Sequence, residues 1–460
     1  MPAELQLGID VGGTNADAVV MNHLGRLLAK AKVQVTGDLR ADLGAAMHAV
    51  IANGALDQAR IARVMIGTHR RSSLLAQPGL KRVGVLRIGS PLPTALPPLS
   101  TWPIELQTKV SAGEAVVRGG AEYDGRPAGA LDEDEIARFL GEVAREAESI
   151  AITSVFSPVA PEQELAAAEL VRRELGPSMH VSLSHEIGSV GLIERENATV
   201  LNGALMGMVE SLATAIGDAL ESECIEAATF VTQNDGTLMT LQHAHRFPVL
   251  TIGSGPASGI RGAAFLSGVE DGLVVDVGGS HMDVGVLVRG FPRESAATAE
   301  IAGVRVAFRM PDVRTLPFGG GSLVDRHARL LAQEALADSV DRAKAELQSP
   351  PLVVVGGADV LVPDDLPGVS EVIRPPDRDV AGAIGAAIAP VSGHAECICS
   401  NHPDKRQAAL DEVRASACAQ AVHAGADPVA VTVVQVEEVP LTYLSDPAIR
   451  IRAKAAGPAG

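Results

Sequence analysis

The stretch "VVDVGGSHMDVGVL" (274–287) has a near-copy far upstream, "GIDVGGTNADAVV" (8–20). Asp10 to Asp17 align with Asp276 to Asp283, and each set follows one apolar run and precedes another. Each copy reads as a strand, a tight Asp-x-Gly-Gly turn and a returning strand, which is a hairpin. Glycine at 12, 13, 278 and 279 lets the backbone come close to a ligand with no Cβ in the way. Successive N–H groups in such a turn face one concavity, which favours an anion such as phosphate. Thr14, Asn15 and Ser280 add side-chain hydrogen bonds for phosphate oxygens. Asp10 and Asp276, ending the first strand of each hairpin, can bind Mg²⁺ directly or through water. One Gly-Gly turn merely closes a hairpin. Two, each opening one half of the chain, point to phosphate gripped between two lobes.

The bulk numbers agree with an α/β protein of two or three domains. The chain has 460 residues, 47% of them apolar and only 2% aromatic, so Val, Ile, Leu and Ala must fill its core. A formal charge of −18 excludes a nucleic-acid partner, which needs clustered Lys and Arg. No apolar run reaches membrane-spanning length and the N-terminus lacks a signal-peptide pattern, so we expect a cytoplasmic protein with no membrane contact. Four cysteines do not make a disulfide framework.

Short β-branched runs alternate with Ala- and Leu-rich amphipathic stretches. Strands are expected at 5–10, 16–21, 63–67, 83–88, 150–155, 229–232, 273–277, 283–288, 352–355, 430–438 and near 449–454. Helices are expected at 40–53, 132–147, 161–175, 195–221, 324–348, 379–388 and 405–423. This divides the chain into an N-terminal lobe (1–190), a second lobe (191–390) and a small C-terminal α/β segment (391–460). A third glycine turn, Gly356-Gly357-Ala358, ends the apolar strand "LVVV", where small residues suit the flat face of a purine. The run "GHAECICSNHP" brings His394, Cys397, Cys399 and His402 within nine residues. Its Cys-x-Cys spacing is not that of a zinc knuckle, so it reads as thiols buried in a loop, with zinc as the alternative.

The arrangement resembles the superfamily of sugar kinases, actin and heat-shock ATPases, in which ATP lies in a cleft between duplicated ribonuclease H-like lobes. More narrowly it resembles the hydantoinase/oxoprolinase family, hydantoinase A type, short branch. The resemblance is carried by the two hairpins and by "SLSHEIGSVGLIERENATVLNGAL" (182–205), "FVTQNDGTLM" (230–239), "SGPASGIRGAAFLSG" (254–268), "FGGGSLV" (318–324) and "GVSEVIRPPDRDVAGAIGAAIAPVSG" (368–393). It implies ATP- and Mg²⁺-dependent opening of a cyclic amide such as a hydantoin, 5-oxoproline or a lactam. Asp10, Asp276 and Asp283 would be the catalytic carboxylates. Gly12, Gly13, Thr14, Asn15, Gly278, Gly279, Ser280, Gly320, Gly356, Gly357 and Ala358 would line the nucleotide site. In related enzymes a second subunit performs the hydrolysis, so a partner chain and an oligomer are expected.

Phosphorylating an amide oxygen removes the resonance that protects the carbonyl and supplies a leaving group. The step needs positioning and charge neutralisation more than a general base. Substrate contacts are expected from His69, Arg70, Arg71, His185, Glu186, Asn234 and His281, with Glu194, Arg195, Glu196 and Asn197 at a helix start. Each has a structural alternative as a cap or turn residue. Two departures from the family pattern stand out. Ser280-His281-Met282 replaces a run of threonines, and Thr68-His69-Arg70-Arg71 replaces a Thr-Thr-His-Phe segment; new specificity and lost activity both fit. A small-molecule kinase, a ligase-type activating enzyme and a weakened nucleotide-binding subunit are the competing readings.

Overall fold

A computed structural model describes residues 4–68, 79–90, 96–188, 191–295, 299–321, 325–344, 349–441 and 448–460. The two aligned segments form hairpins in identical register. Strands Leu5–Val11 and Asn15–Asn22 pair antiparallel with Asp10 opposite Asp17. Strands Gly272–Val277 and Met282–Val288 do the same with Asp276 opposite Asp283. On its other side the first strand of each hairpin meets a parallel strand, Ile61–Thr68 in one case and Leu352–Val355 in the other. The same three-strand unit therefore starts two different sheets.

The first sheet has nine strands in the order 432–441, 448–457, 391–400, 238–240, 228–232, 61–68, 5–11, 15–22, 27–34. The second runs 291–292, 282–288, 272–277, 352–355, 372–373, with Val313–Leu316 also paired to Met282–Val288. A third, all-parallel sheet runs 111–118, 83–90, 149–154, 180–183. Sheet membership crosses residues 190 and 390: strands 228–240 and 391–457 extend the sheet that residues 5–68 begin.

Helices Ser254–Ser267 and Ala381–Ile388 join the two hairpin sheets. The first packs Ile260, Ala263 and Ala264 against Val274, Leu287 and Val353 of the second sheet. The other packs Ala383, Ile384 and Ala387 against Val19 and Met21 of the first. The two helices also press on each other, backbone to backbone. A Cβ at Gly262 would collide with the Ala381 carbonyl, and one at Gly385 with that of Ser258. "SGPASGIRGAAFLS" reads as a loop by propensity, since Gly and Pro disfavour helix interiors. It is helical because only small residues allow this crossing.

The long helix expected over 195–221 is two, Leu192–Ala204 and Met206–Ser222, bent by 42°. Among the described residues no single helix is long and apolar enough to cross a membrane. That bent pair meets the length and composition of a span, yet most of Leu192–Ala204 is buried in the core.

Candidate functional site

The two hairpin tips face each other. A Cβ at Gly279 would collide with Thr14 Oγ1, and one at Gly13 would sit 3.8 Å from Ser280 Oγ. Each turn is closed by one backbone bond, Gly12 N–H to Asn15 O and Gly278 N–H to His281 O, both 2.9 Å. Among the described residues none accepts from the N–H groups of Gly13, Thr14, Gly279 or Ser280, and all four residues are exposed. Two adjoining sets of unused donors are what a bridged polyphosphate requires. Gly320 braces the second tip, donating its N–H to Gly278 O at 2.9 Å.

The aspartates behind the tips are enclosed alike in both lobes. Helix Ala381–Ile388 lays Gly382 on Asp10, where a Cβ would collide with Oδ2. Helix Ser254–Ser267 lays Gly259 on Asp276, where a Cβ would stand 2.5 Å from Oδ2. Asp10 is 7% exposed, whereas Asp276 is half-buried. The opposite residues differ more. Asp17 is paired to Lys32 Nζ at 2.6 Å; Asp283 accepts from Thr315 Oγ1 at 2.5 Å. Burial pushes the Asp17 carboxyl up to about 6 against the pull of Lys32, and the charge of Asp10 adds to the rise. Carboxylates at Asp10 and Asp276, flanking unused N–H groups, form a donor set suited to a hard divalent cation carrying phosphate oxygens.

The three residues of the third turn sit in different surroundings. Gly356 has φ +90°, and a Cβ there would lie 2.5 Å from Asp276 Oδ1, so the position requires glycine. Space around Gly357 is open within 4 Å. Ala358 instead is buried in the second lobe's core, its N–H bonded to Val277 O. The lobes are also tied beside this turn. Lys30 meets Asp377 and Asp379 at 2.9 Å each, and between those two aspartates Arg378 donates to Asp359 Oδ2 at 2.9 Å within the second lobe.

The expected substrate residues divide. His69, Arg70 and Arg71 lie outside the described residues. Half-buried His281 bonds Ser280 Oγ through Nδ1 at 2.8 Å, at the tip of the second hairpin. Its neighbour Met282 is fully buried opposite Leu316, so the methionine fills core rather than cleft. Asn234 spends its amide on the Val249 and Arg309 carbonyls and on the Gly253 N–H, and Glu186 pairs with Arg246. Arg195, Glu196 and Asn197 are buried and internally bonded: Arg195 to Ser184 and Ser154 O, Glu196 to Arg87, Asn197 to Trp102. They organise the third sheet rather than project into a cleft.

His185 is placed differently. Its Nδ1 lies 2.6 Å from Oε2 of Glu164, a fully buried carboxylate that also accepts from Ser184 Oγ and the Ser154 and His185 N–H groups. Burial would raise the Glu164 carboxyl, but those hydrogen bonds outweigh it and hold it below the usual range. Sequence reading missed Glu164, 21 residues upstream of its partner.

The cysteine run does not converge on one point. Residues 391–400 are a strand, so His394 and the thiols at 397 and 399 alternate to opposite faces. Cys397 and Cys399 pack into the first sheet's core, and burial pushes the Cys397 thiol up to about 12. His394 turns instead to Asp235 at 2.8 Å, with Glu294 nearby as a third metal-type ligand. Lys454 Nζ already sits 2.7 Å from the same Asp235 oxygen, which places a cation where a metal would go.

Comparison with known proteins accords with this geometry. The profile described as Hydantoinase/oxoprolinase matches residues 195–364, and that of the Hydantoinase/oxoprolinase N-terminal region matches residues 6–175. Caprolactamase subunit alpha of Pseudomonas jessenii is 23% identical over 350 residues, 70% of this chain and 48% of that protein. An uncharacterized protein of Methanocaldococcus jannaschii is 25% identical over 210 residues, 42% of this chain and 31% of that one. The chain thus spans less than half the length of these curated relatives. Two solved structures share its fold at 16% identity. ATP-dependent caprolactamase from Pseudomonas jessenii has a TM-score of 0.75, covering 98% of this chain and 87% of that one. Nucleotide-free acetone carboxylase has a TM-score of 0.73, covering 99% and 88%. The fold is the two-lobed, actin-like ATPase architecture, and the chain belongs to the hydantoinase/oxoprolinase family.

Proposed function

We propose that this chain catalyses the ATP-dependent step in opening a cyclic amide, a hydantoin, 5-oxoproline or lactam ring, by phosphorylating the amide oxygen. The observation that carries the reading is the pair of register-matched hairpins set tip to tip, with unused N–H groups on both. Exposed amides on two lobes hold the phosphate chain in line with an acceptor, and positioning is most of what phosphoryl transfer demands. Mg²⁺, held by Asp10 and Asp276, would supply neutralisation of charge on the transferring phosphoryl group. Thr14 and Ser280, one on each tip, offer hydroxyls to the same oxygens. The open space at Gly357 would admit the purine.

A family relative named as a subunit, and a match spanning part of longer proteins, support the further proposal that ring hydrolysis is completed with a partner chain in an oligomer. We propose a cytoplasmic location, where ATP is supplied. The test is ADP release by the purified chain, with and without hydantoin, 5-oxoproline and ε-caprolactam, beside chromatography of the ring-opened acid. Ring-dependent ADP release with opened product supports the proposal. Ring-dependent ADP release ending in a stable phosphorylated product, or in one passed to a nucleophile other than water, assigns a kinase or ligase-type activation instead, whereas a phosphorylated ring that water opens unaided or with the partner chain keeps the proposal. Nucleotide binding without ring-dependent turnover overturns it in favour of a binding subunit.

A further inference from the structure

We propose that His185, oriented by Glu164, is the base that takes the ring N–H proton as the amide oxygen is phosphorylated. This rests on the reading above and adds a group to it. The step balances as follows. The carbonyl oxygen bonds to the γ-phosphorus while the bridging P–O bond breaks, and ADP leaves with that electron pair. The N–H bond breaks, its pair becomes the C=N bond of an imidate phosphate, and the proton moves to His185 Nε2. Without proton removal the product would carry a positive charge on nitrogen, and the oxygen would be a poorer nucleophile. Coupling the two events avoids that cation.

Three features of the dyad suit the role. Both oxygens of Glu164 are committed: Oε1 accepts from Ser154 N–H and Ser184 Oγ, and Oε2 from the His185 N–H. Its remaining contact, Oε2 to His185 Nδ1 at 2.6 Å, places the ring proton on Nδ1 and leaves Nε2 as the acceptor. Ser184 is itself fixed by Ser157 Oγ at 3.0 Å and by Arg195 Nε at 2.9 Å. Among the described residues nothing bonds Nε2, and the His185 side chain keeps 17% exposure. A histidine serving only to cap Glu164 has no need of that opening.

The location agrees as well. His185 follows the carboxyl end of His180–Leu183 in an all-parallel sheet, the end where open α/β sheets bind ligands. A chain of hydrogen bonds links this end to the phosphate region. Asn202 joins Ser182 Oγ to Val249 N–H, and Asn234 joins Val249 O to Gly253 N–H. Gly253 precedes the helix whose Gly259 covers Asp276, and Ser254 reaches back to Thr68 O.

The experiment uses the full chain and whichever of hydantoin, 5-oxoproline or ε-caprolactam elicits the most ADP, beside its ring N-methyl form. His185→Ala should lower kcat by roughly 10²–10⁴-fold while leaving KM for the ring within about threefold. Fluorescent ADP should bind it as it binds wild type, and imidazole in the buffer should restore part of kcat. Glu164→Gln should lower kcat about tenfold or more, with the same KM, because it releases the imidazole from one orientation. The N-methyl ring has no proton to give, so its slower turnover should be the same in wild type and His185→Ala. Undiminished kcat in His185→Ala overturns the dyad and leaves the phosphorylation reading standing. Equal loss on N–H and N-methyl rings overturns the assignment of the proton. Lost ADP binding in both variants overturns it in favour of a structural role. No ring-dependent ADP release by wild type overturns the phosphorylation reading, and the dyad with it.

Discussion

The two hairpins share register, turn and covering glycine, yet they are wired to different partners. The first keeps its charges close: Asp10 is buried, Asp17 pairs with Lys32, and Lys30 reaches Asp377 and Asp379 at the approach to the interlobe helix. The second is held by neutral groups, with Thr315 on Asp283, the Gly320 N–H on Gly278 O, and Met282 sunk into the core. A duplicated backbone therefore carries two divisions of labour. The first hairpin concentrates field, and the second supplies shape and hydrogen bonds.

The sharpest way to break that contrast is to neutralise each strand-ending aspartate in turn. Asp10→Asn should cost roughly 10³-fold in ring-dependent ADP release, because it removes buried charge while preserving shape. Asp276→Asn should cost about tenfold less than that. Steady-state rates at saturating ATP decide it, and a larger loss at Asp276 would reverse the assignment of roles.

The covering glycines test whether the hairpins are enclosed as symmetrically as they look. Gly382→Ala drives a methyl into Asp10 Oδ2 and should cost about 1–3 kcal/mol of stability with loss of nucleotide binding. Gly259→Ala meets Asp276 Oδ2 at 2.5 Å, a less severe approach than the methyl of Gly382→Ala makes on the more buried Asp10, and should cost less. Thermal melts with and without ADP separate the two contributions. Equal losses would show that the second aspartate is held as rigidly as the first.

The altered tip of the second hairpin divides into a core part and a cleft part. Met282→Thr removes a fully buried side chain opposite Leu316 and should destabilise the chain by about 2–4 kcal/mol. His281→Thr should leave the melting temperature within about 2 °C, and its effect should appear in KM for ATP or ring. If instead His281→Thr lowers the melting temperature as much as Met282→Thr, the histidine is structural.

How much of this was legible in the chain depends on whether a feature is local. The hairpins, their aspartates and the Gly356 turn each lie within a dozen residues, so spacing and residue type suffice. Helix Ser254–Ser267 was hidden because its glycines and proline signal a loop, and only the crossing with Ala381–Ile388 explains them. Strand Val391–Ser400 was hidden because His394, Cys397 and Cys399 between Gly393 and Pro403 read as thiols buried in a loop, whereas pairing with Ala448–Gly457 fixes it extended. Lys30 and Asp379, 349 residues apart, leave no trace in spacing. The paired hairpins were readable; their electrostatic partners were not. Asp17 shows this well, since its alignment with Asp283 was plain while its pairing with Lys32 and its burial needed the fold.

Asp17 also yields the smallest and most diagnostic effect. Its carboxyl is raised from the usual value to about 6, chiefly by burial, against the opposing pull of Lys32 at 2.6 Å. An acid whose folded pKa exceeds its unfolded value is favoured in the protonated folded state. The unfolded chain releases that proton first as pH rises, so Asp17 subtracts stability between about pH 4 and 6 and is level beyond. Asn carries no proton to lose. Relative to Asp17→Asn, the wild type should therefore melt progressively lower across that window, by about 1–2 °C for a chain this long if half of the shift is realised. Melting both proteins from pH 4 to 7 in steps measures the difference directly. If the wild type instead gains on the variant as pH rises, the ion pair to Lys32 outweighs burial. The carboxylate is then charged across the whole of that window.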